Sequence, residues 1–363
     1  MDRKQCCVKL SVQPSRGLMD EKFIVLVQNV WPGFQLTVHA LHQCEDGHSW
    51  EAFGHYAADA TGTDPSLGGT YSGVEPMGLL WSLRPVPGSK PGIRMRKMNV
   101  QTPMEVTISV YQGHQTEGFV DQVPLAGVLV ERWYMAPGVR RIPITEGGLT
   151  ATLFLPPGPG PFPGLLDLWG GGGKLAEYRA SLLASHGIAS LALDYLTPKI
   201  TIETRKMVGI EYFEVNLINH RITLSGFECF LFYFGIFVLS SCFLSLGYSS
   251  SLYFLVLITV PALICELLLL FASEQVGRLQ CPLLLVVGED DQNWPMKEMM
   301  ERAGNSHLLT ILSYPNAGHL IEPPYTPHAR SMMALWGGET VAHSRAQEDA
   351  WRKTLVFLRE NLF

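Results

Sequence analysis

Two apolar runs near the end of the chain, each closing in a turn with an ionisable side chain, restrict the fold more than any other feature. Cys281-Pro-Leu-Leu-Leu-Val-Val287 is continuous and of strand length. A strand reads this way when both of its faces are covered in a parallel sheet. The run stops at Gly288, and Glu289-Asp-Asp291 comes next. The second run, Leu308 to Tyr314, stops at Asn316-Ala-Gly318, with His319 directly after. An acid after one late strand and a His after the next form the tail of a nucleophile, acid, His order. In such a set the acid fixes the imidazole tautomer and stabilises its charged form, and the His moves the proton of the nucleophile. Each piece alone has a plainer meaning, since Asp pairs cap helices and Gly-His occurs in turns. Both together, in order and on matching elements, favour the catalytic reading.

A chain of 363 residues has room for two or three domains and a sizeable core. A net charge of −6 gives no basic field for nucleic acid. The seven cysteines (Cys6, Cys7, Cys44, Cys229, Cys242, Cys265, Cys281) show no C-x-x-C spacing and no paired His motif. They read as free thiols in a reducing compartment, with no metal site. The first residues, MDRKQCCVKLSV, hold no apolar core of signal-peptide length, and Arg359-Glu-Asn-Leu-Phe363 is no peroxisomal address. The cytosol is the expected compartment.

Short alternating runs fill residues 8–130: Lys9 to Val12, Phe23 to Val27, Phe34 to Val38 and Val106 to Val110. Turn residues at Trp31-Pro-Gly33, Glu45-Asp-Gly47 and Ser66-Leu-Gly-Gly69 separate them. This spacing predicts an N-terminal, immunoglobulin-like β-sandwich over 1–138. From Leu149 the pattern changes. Thr150 to Leu155 and Gly164 to Trp169 are strands, Gly170-Gly-Gly-Gly173 is a loop, Lys174 to Ser185 is helical, and Ile188 to Leu193 is a strand. Strand, glycine loop, helix and strand make a βαβ unit. The run Gly170, Gly171, Gly172, Gly173 has two readings. A phosphate cradle lacks the G-x-x-x-x-G-K-[ST] spacing, because Leu175 comes after Lys174. A loop whose amides hold an oxyanion suits the acid and His downstream and is favoured.

Several stretches together resemble the acyl-CoA thioesterase and bile acid-CoA:amino acid N-acyltransferase family. They are Leu67 to Trp81, Glu131-Arg-Trp-Tyr-Met-Ala-Pro-Gly-Val-Arg140, Ala151 to Pro157, Pro161 to Gly164, Glu177 to Ala184 and Glu211 to Glu214. Near the end come Val287 to Asp291, His319-Leu-Ile-Glu-Pro-Pro-Tyr325, Trp336 to Glu339 and Ala346 to Trp351. The resemblance implies a β-sandwich joined to an α/β-hydrolase domain over 139–363. It implies action on fatty acyl-CoA, with coenzyme A present only as part of the substrate and no other cofactor. By motif position Asp291 matches the triad acid, with Asp290 as the alternative, and His319 matches the base. Gly170 to Gly173 match the oxyanion loop. Family thioesterases use Ser as nucleophile and the conjugating enzymes use Cys; some members are peroxisomal or mitochondrial.

The resemblance stops at Glu214 and resumes near Glu274. The Gly-x-Ser-x-Gly elbow, or its Cys equivalent, is absent, and an apolar segment occupies 215–272. Ser249, in Gly247-Tyr-Ser-Ser-Ser251, is the nearest substitute nucleophile, but Ser251 stands where the elbow needs a small glycine. A polar turn between apolar elements is its plainer meaning, and Cys229, Cys242 and Cys265 read as inert thiols inside apolar runs. Phe227–Leu246 and Leu252–Phe271 are each about 20 residues, long enough to cross a bilayer as helices. Membrane contact through 227–271 is thus one reading, and a buried helix pair is another. A third is translated intron: Val215 needs a codon beginning GT, as a splice donor does. The functions expected are fatty acyl-CoA hydrolysis impaired by the lost nucleophile, acyl transfer to an amino acid, or non-catalytic binding of acyl-CoA or a partner.

Overall fold

The computed structural model describes residues 7–59, 66–90, 93–145, 150–168, 175–194, 282–290, 306–328 and 337–362, and the backbone of 229–233 and 254–256. They form two compact units. Unit 1 is Met1–Tyr134 with Glu322–Glu348, and unit 2 is Met135–Ile321 with Asp349–Phe363. The sequence reading cuts the chain once, after residue 138; the contacts divide it after Tyr134 and return a late segment to unit 1.

Unit 1 is β-rich. Its strands are β1 (Lys9–Gln13), β2 (Arg16–Leu18), β3 (Ile24–Gln28), β4 (Gln35–Gln43), β5 (Ser49–Ala57), β6 (Gly68–Gly69), β7 (Arg84–Pro85), β8 (Met104–Gln112) and β9 (Ala126–Trp133). One seven-stranded sheet runs β2-β9-β8-β4-β5-β6, with β7 also on β5, and β1 and β3 pair separately. Directly opposed pairs Val38–Val110, Ala40–Ile108 and Val106–Val130 stack buried apolar groups on one face. Burying each such Val or Ile side chain stabilises by about 1.5–3 kcal/mol. The other face is covered as well. Thr37, His39, Glu51 and Ser109 are buried, and the His39 ring stacks on Phe119 at 4.0 Å. An immunoglobulin sandwich shares its strands almost evenly between two sheets. Here seven strands lie in one sheet and two in the other, because β4, β5 and β8 are long strands with interior on both faces.

The segment that rejoins unit 1 is tightly held. Glu322 forms a buried ion pair with Arg94. Tyr325 is buried at φ 64°, an uncommon conformation for an aromatic residue. His328 Nε2 donates to the carbonyl of Gly337 at 2.9 Å, and its ring stacks on buried His343 at 3.7 Å.

Unit 2 is built on an eight-stranded sheet. Its strands are β10 (Arg140–Ile144), β11 (Ala151–Leu155), β12 (Gly164–Leu168), β13 (Ala189–Leu193), β14 (Cys229–Tyr233), β15 (Phe254–Val256), β16 (Leu283–Gly288) and β17 (Leu309–Tyr314). Their order is β10-β11-β13-β12-β14-β15-β16-β17. The β10–β11 and β11–β13 pairs are antiparallel and the rest parallel. This is the open α/β-hydrolase sheet, and the chain passes from β12 first to one side and then to the other. In open α/β sheets a crevice forms beyond the carboxyl ends at such a switch point.

Between β12 and β13 lies the helix Tyr178–Ser185, which with the four-residue turn of helix Gly78–Trp81 as α1 is termed α2. The last helix among the described residues is α3 (Thr340–Leu362). Leu182 and Leu183 of α2 are fully buried, as is Phe154 of β11. Tyr314 at the end of β17 donates its hydroxyl to Asp349 of α3 at 2.8 Å.

The apolar segment 215–272 is expected to be helical, and its described parts are not. Cys229–Tyr233 and Phe254–Val256 are strands β14 and β15, filling the sheet between β12 and β16. A continuous apolar run suits a strand covered on both faces as well as a helix, and period alone does not separate them. Among the described residues no helix is long and apolar enough to cross a membrane. The rest of the 227–271 stretch lies outside them.

Burial lowers the pKa of His328; the Gly337 carbonyl opposes the shift and the charge of Arg94 adds to it. As pH falls, the unfolded chain therefore takes up this proton first. The contribution is complete above the unfolded value of about 6.5 and is lost as pH falls through the folded value. His328→Phe should accordingly lose less stability than the parent between pH 7 and pH 5 in denaturant titrations. Equal losses would mean that His328 is not held neutral.

Candidate active site

Six parallel strands, β12 to β17, bring their carboxyl ends to one edge of the unit 2 sheet. Three of them lead into stretches that the sequence reading singles out. Gly170, Gly171, Gly172 and Gly173 begin just past β12, Asp290 and Asp291 come after β16, and His319 after β17. Asp291, the four glycines and Ser249 lie outside the described residues.

The acid and His turns are joined by backbone. β16 and β17 pair in register up to Gly288↔Tyr314. Beyond the ladder, the amide of Glu289 donates to Tyr314 O at 2.9 Å and that of Asp290 to Ala317 O at 3.0 Å. A Cβ on Gly288 would overlap the carbonyl oxygens of Ala317 and Gly318. Only glycine lets these two chains approach so closely. Asn316 turns the chain with φ 55°, a left-handed conformation that Asn tolerates. Ala317 and Gly318 are buried and His319 is half-buried. His319 thus stands one residue past a turn that is locked against β16. The spacing seen in the sequence carries this result, because Gly288 ends one apolar run and Asn316-Ala-Gly318 the other.

Two buried ion networks brace the strand before the glycine run and the helix after it. Asp167, in β12, accepts hydrogen bonds from Arg179 of α2, with Nε at 2.7 Å. Both side chains are nearly inaccessible. Glu177, just before α2, accepts from Arg141 Nε at 2.8 Å and Nη2 at 2.6 Å and from Thr152 Oγ1 at 2.6 Å. The hydrogen bond to Glu177 raises the Arg141 pKa, against the effect of burial. Residues 169–174 are therefore flanked by groups that bind β10, β11, β12 and α2 together. Breaking a buried pair by removing one partner costs about 3–5 kcal/mol. Sequence reading records Glu177 and Arg179 only as part of a resembling stretch. Their signal is two opposite charges straddling Tyr178 in an otherwise apolar helix.

The carboxyl end of β14 is the place to look for a nucleophile. A nucleophile elbow must lie beside the oxyanion loop, because the two share the oxyanion hole. β12 has only β13 and β14 as neighbours. After β14 the sequence reads Phe234-Gly-Ile-Phe-Val-Leu239, with no Ser, Cys or Thr. Among the described residues no group of His, Cys, Asp and Glu is arranged to hold a metal ion. The β16–β17 lock can be tested directly. Gly288→Ala should lower stability by about 1–3 kcal/mol, as overpacked sites do, read from the denaturant midpoint. A change below about 0.5 kcal/mol, the range of indifferent surface changes, would show that the close approach is absent.

Known proteins support the same architecture. Residues 20–146 match the Acyl-CoA thioester hydrolase/BAAT N-terminal region, and residues 271–363 match the BAAT / Acyl-CoA thioester hydrolase C terminal. Mouse acyl-coenzyme A thioesterase 2, mitochondrial, is 37% identical, covering 97% of this chain and 89% of the relative. Mouse peroxisomal succinyl-coenzyme A thioesterase is 33% identical, with 97% and 96% covered. Human bile acid-CoA:amino acid N-acyltransferase is 34% identical, with 98% of each chain covered. That last alignment runs over 420 positions against a chain of 363 residues, so the relative carries residues that this chain lacks. Residues 147–270, which include β11 to β15, fall between the two matched regions. The chain belongs to the acyl-CoA thioester hydrolase and bile acid-CoA:amino acid N-acyltransferase family.

Proposed function

We propose that this chain is a fatty acyl-CoA-binding member of the family that keeps the proton-transfer half of a hydrolytic site and lacks the covalent half. The observation that carries this reading is the strand beside β12. β14 occupies the place from which a nucleophile would be presented, and it runs into Phe234-Gly-Ile-Phe237. Without a nucleophile, the thioester is open only to water. His319 takes a proton from that water as it attacks the carbonyl carbon. Asp291, or its neighbour Asp290, orients the imidazole and stabilises its charge. Amides of the Gly170–Gly173 run hold the oxyanion, and the carbon–sulfur bond then breaks to give fatty acid and CoA, whose thiolate is reprotonated from His319. Acyl transfer to an amino acid needs a covalent acyl-enzyme on the same missing residue, so it is lost as well.

The test is CoA release from palmitoyl-CoA, monitored with a thiol reagent, by the parent chain, His319→Ala and Ser249→Ala. Hydrolases stripped of a triad member keep roughly 10³–10⁴-fold acceleration over water from binding and the oxyanion hole. The parent should fall at or below that level, His319→Ala lower still, and Ser249→Ala equal to the parent. Turnover of several per second that Ser249→Ala abolishes would make Ser249 the nucleophile and overturn the proposal.

A further inference from the structure

We infer that the outer edge of β17 is a docking site for the same strand of a second copy of this chain. β17 closes one side of the unit 2 sheet, and β10 closes the other. An edge strand presents a row of unpaired N–H and C=O groups, and folded proteins blunt it with charge, proline or a covering element. β10 is blunted in this way, since Arg140-Arg-Ile-Pro-Ile144 holds two Arg and a Pro. β17 is not. Leu309-Thr-Ile-Leu-Ser-Tyr314 holds no charge, no Pro and no Gly, and Thr310, Ile311 and Ser313 are exposed.

The pairing with β16 decides which backbone groups look outward. The amide of Glu289 donates to Tyr314 O, so the peptide groups of Tyr314 face β16. Within a strand the N–H and C=O of one residue point to the same side, and those of the next residue to the other. Thr310 and Leu312 therefore also bond β16, and Leu309, Ile311 and Ser313 turn their groups away from it. Among the described residues, no bond outside the β16 ladder takes up the backbone of these three.

A second copy satisfies all of them at once. In an antiparallel pair, residues that exchange both hydrogen bonds stand directly opposite each other. A two-fold axis through Ile311 sets Ile311 against its own counterpart, and Leu309 of each copy against Ser313 of the other. Every outward N–H and C=O of the strand is then paired. An axis at Leu312 would set Leu309 against Pro315, which has no N–H to give. An axis at Thr310 would carry Ser313 past the strand, against His307 in the turn Ser306–Leu308. No like charges oppose across the Ile311 axis, and the Ile311 side chains, 36% exposed in one copy, meet at its centre. Growth ends there, because the edges left free are the two β10 strands with their Arg and Pro. The association is a closed dimer and not a fibre. A strand pairing of six residues buries less than the roughly 800 Å² per partner of a standard interface, so the dimer stands in a concentration-dependent equilibrium with the monomer.

The experiment is sedimentation velocity on the full chain from low micromolar to near-millimolar concentration. The parent should pass from monomer to dimer and form nothing larger. Ile311→Lys sets two ammonium groups beside the axis and should weaken the association by about 100-fold or more, because like charges face each other. Ile311→Val, which keeps strand propensity, should dimerise like the parent, and so should Ile142→Lys in the middle of β10. Hydrogen exchange gives a second reading. The amides of Leu309, Ile311 and Ser313 should slow with concentration in the parent and not in Ile311→Lys. If Ile311→Lys does not fold, Ser313→Pro, which removes one outward donor and no bond to β16, is read by the same criterion. A chain that stays monomeric across the range, a dimer that Ile311→Lys leaves intact, or assemblies beyond two overturn the inference. Slow exchange of the three outward amides in the monomer overturns it too, since another segment would then cover the edge.

Discussion

An eight-stranded sheet holds together only if every strand between its edges has a partner on both sides, and in unit 2 that requirement falls on the apolar segment. β12 carries the loop expected to hold an oxyanion, and β16 carries the acids. Without β14 and β15 both strands would present unpaired edges, and the two halves of the site would belong to separate sheets. The segment meets the requirement thinly. β14 pairs with β12 from Gly164↔Cys229 to Asp167↔Phe232, but β15 meets β16 only at Phe254↔Leu283 and Leu255↔Leu284. The sheet is therefore weakest where it joins the family-like sequence of its last two strands. Sheet continuity needs only apolar residues of strand propensity at this place, and catalysis needs a particular residue at the end of β14. On the proposed reading the segment supplies the first and not the second.

The parts of the site that remain are mounted in different ways. At β12 the bracing is ionic, with Asp167–Arg179 and Arg141–Glu177–Thr152 on either side of residues 169–174. At β16 and β17 it is steric, a glycine against two carbonyl groups. These devices all fix backbone, so on the proposed reading they persist without the nucleophile, and family resemblance stays high around Asp290 and His319.

Much of this was legible in the sequence where pattern and turn chemistry agree. Gly164 to Trp169, Ile188 to Leu193 and Leu308 to Tyr314 are expected strands and correspond to β12, β13 and β17 within a residue or so at their ends. β5 gave no such signal. Ser49–Ala57 carries Glu51 and His55 among its apolar residues, and both faces are covered, so it shows neither alternation nor a continuous apolar run. Glu51 is buried because Arg84 and His39 meet its carboxylate, a relation that no local pattern encodes. The helix α3 was equally hard to read, since buried Gln347 and Thr354 interrupt its apolar stripe. The segment 215–272 misled for the opposite reason. Phe227–Leu246 and Leu252–Phe271 within it are predominantly apolar, and such runs fit a helix or an enclosed strand until their neighbours are known. At the candidate site, the order of Asp and His was readable, whereas the Arg141–Glu177 pair was not, because its members stand 36 residues apart in sequence.

The central claim is that the sheet is complete and the nucleophile is missing. Intact mass measured on the chain after acid quenching during incubation with palmitoyl-CoA tests it most directly, because covalent catalysis by Ser or Cys passes through an acyl-enzyme. The account predicts the unmodified mass alone. A stoichiometric palmitoyl adduct, mapped to a Ser or Cys within 215–272, would contradict it.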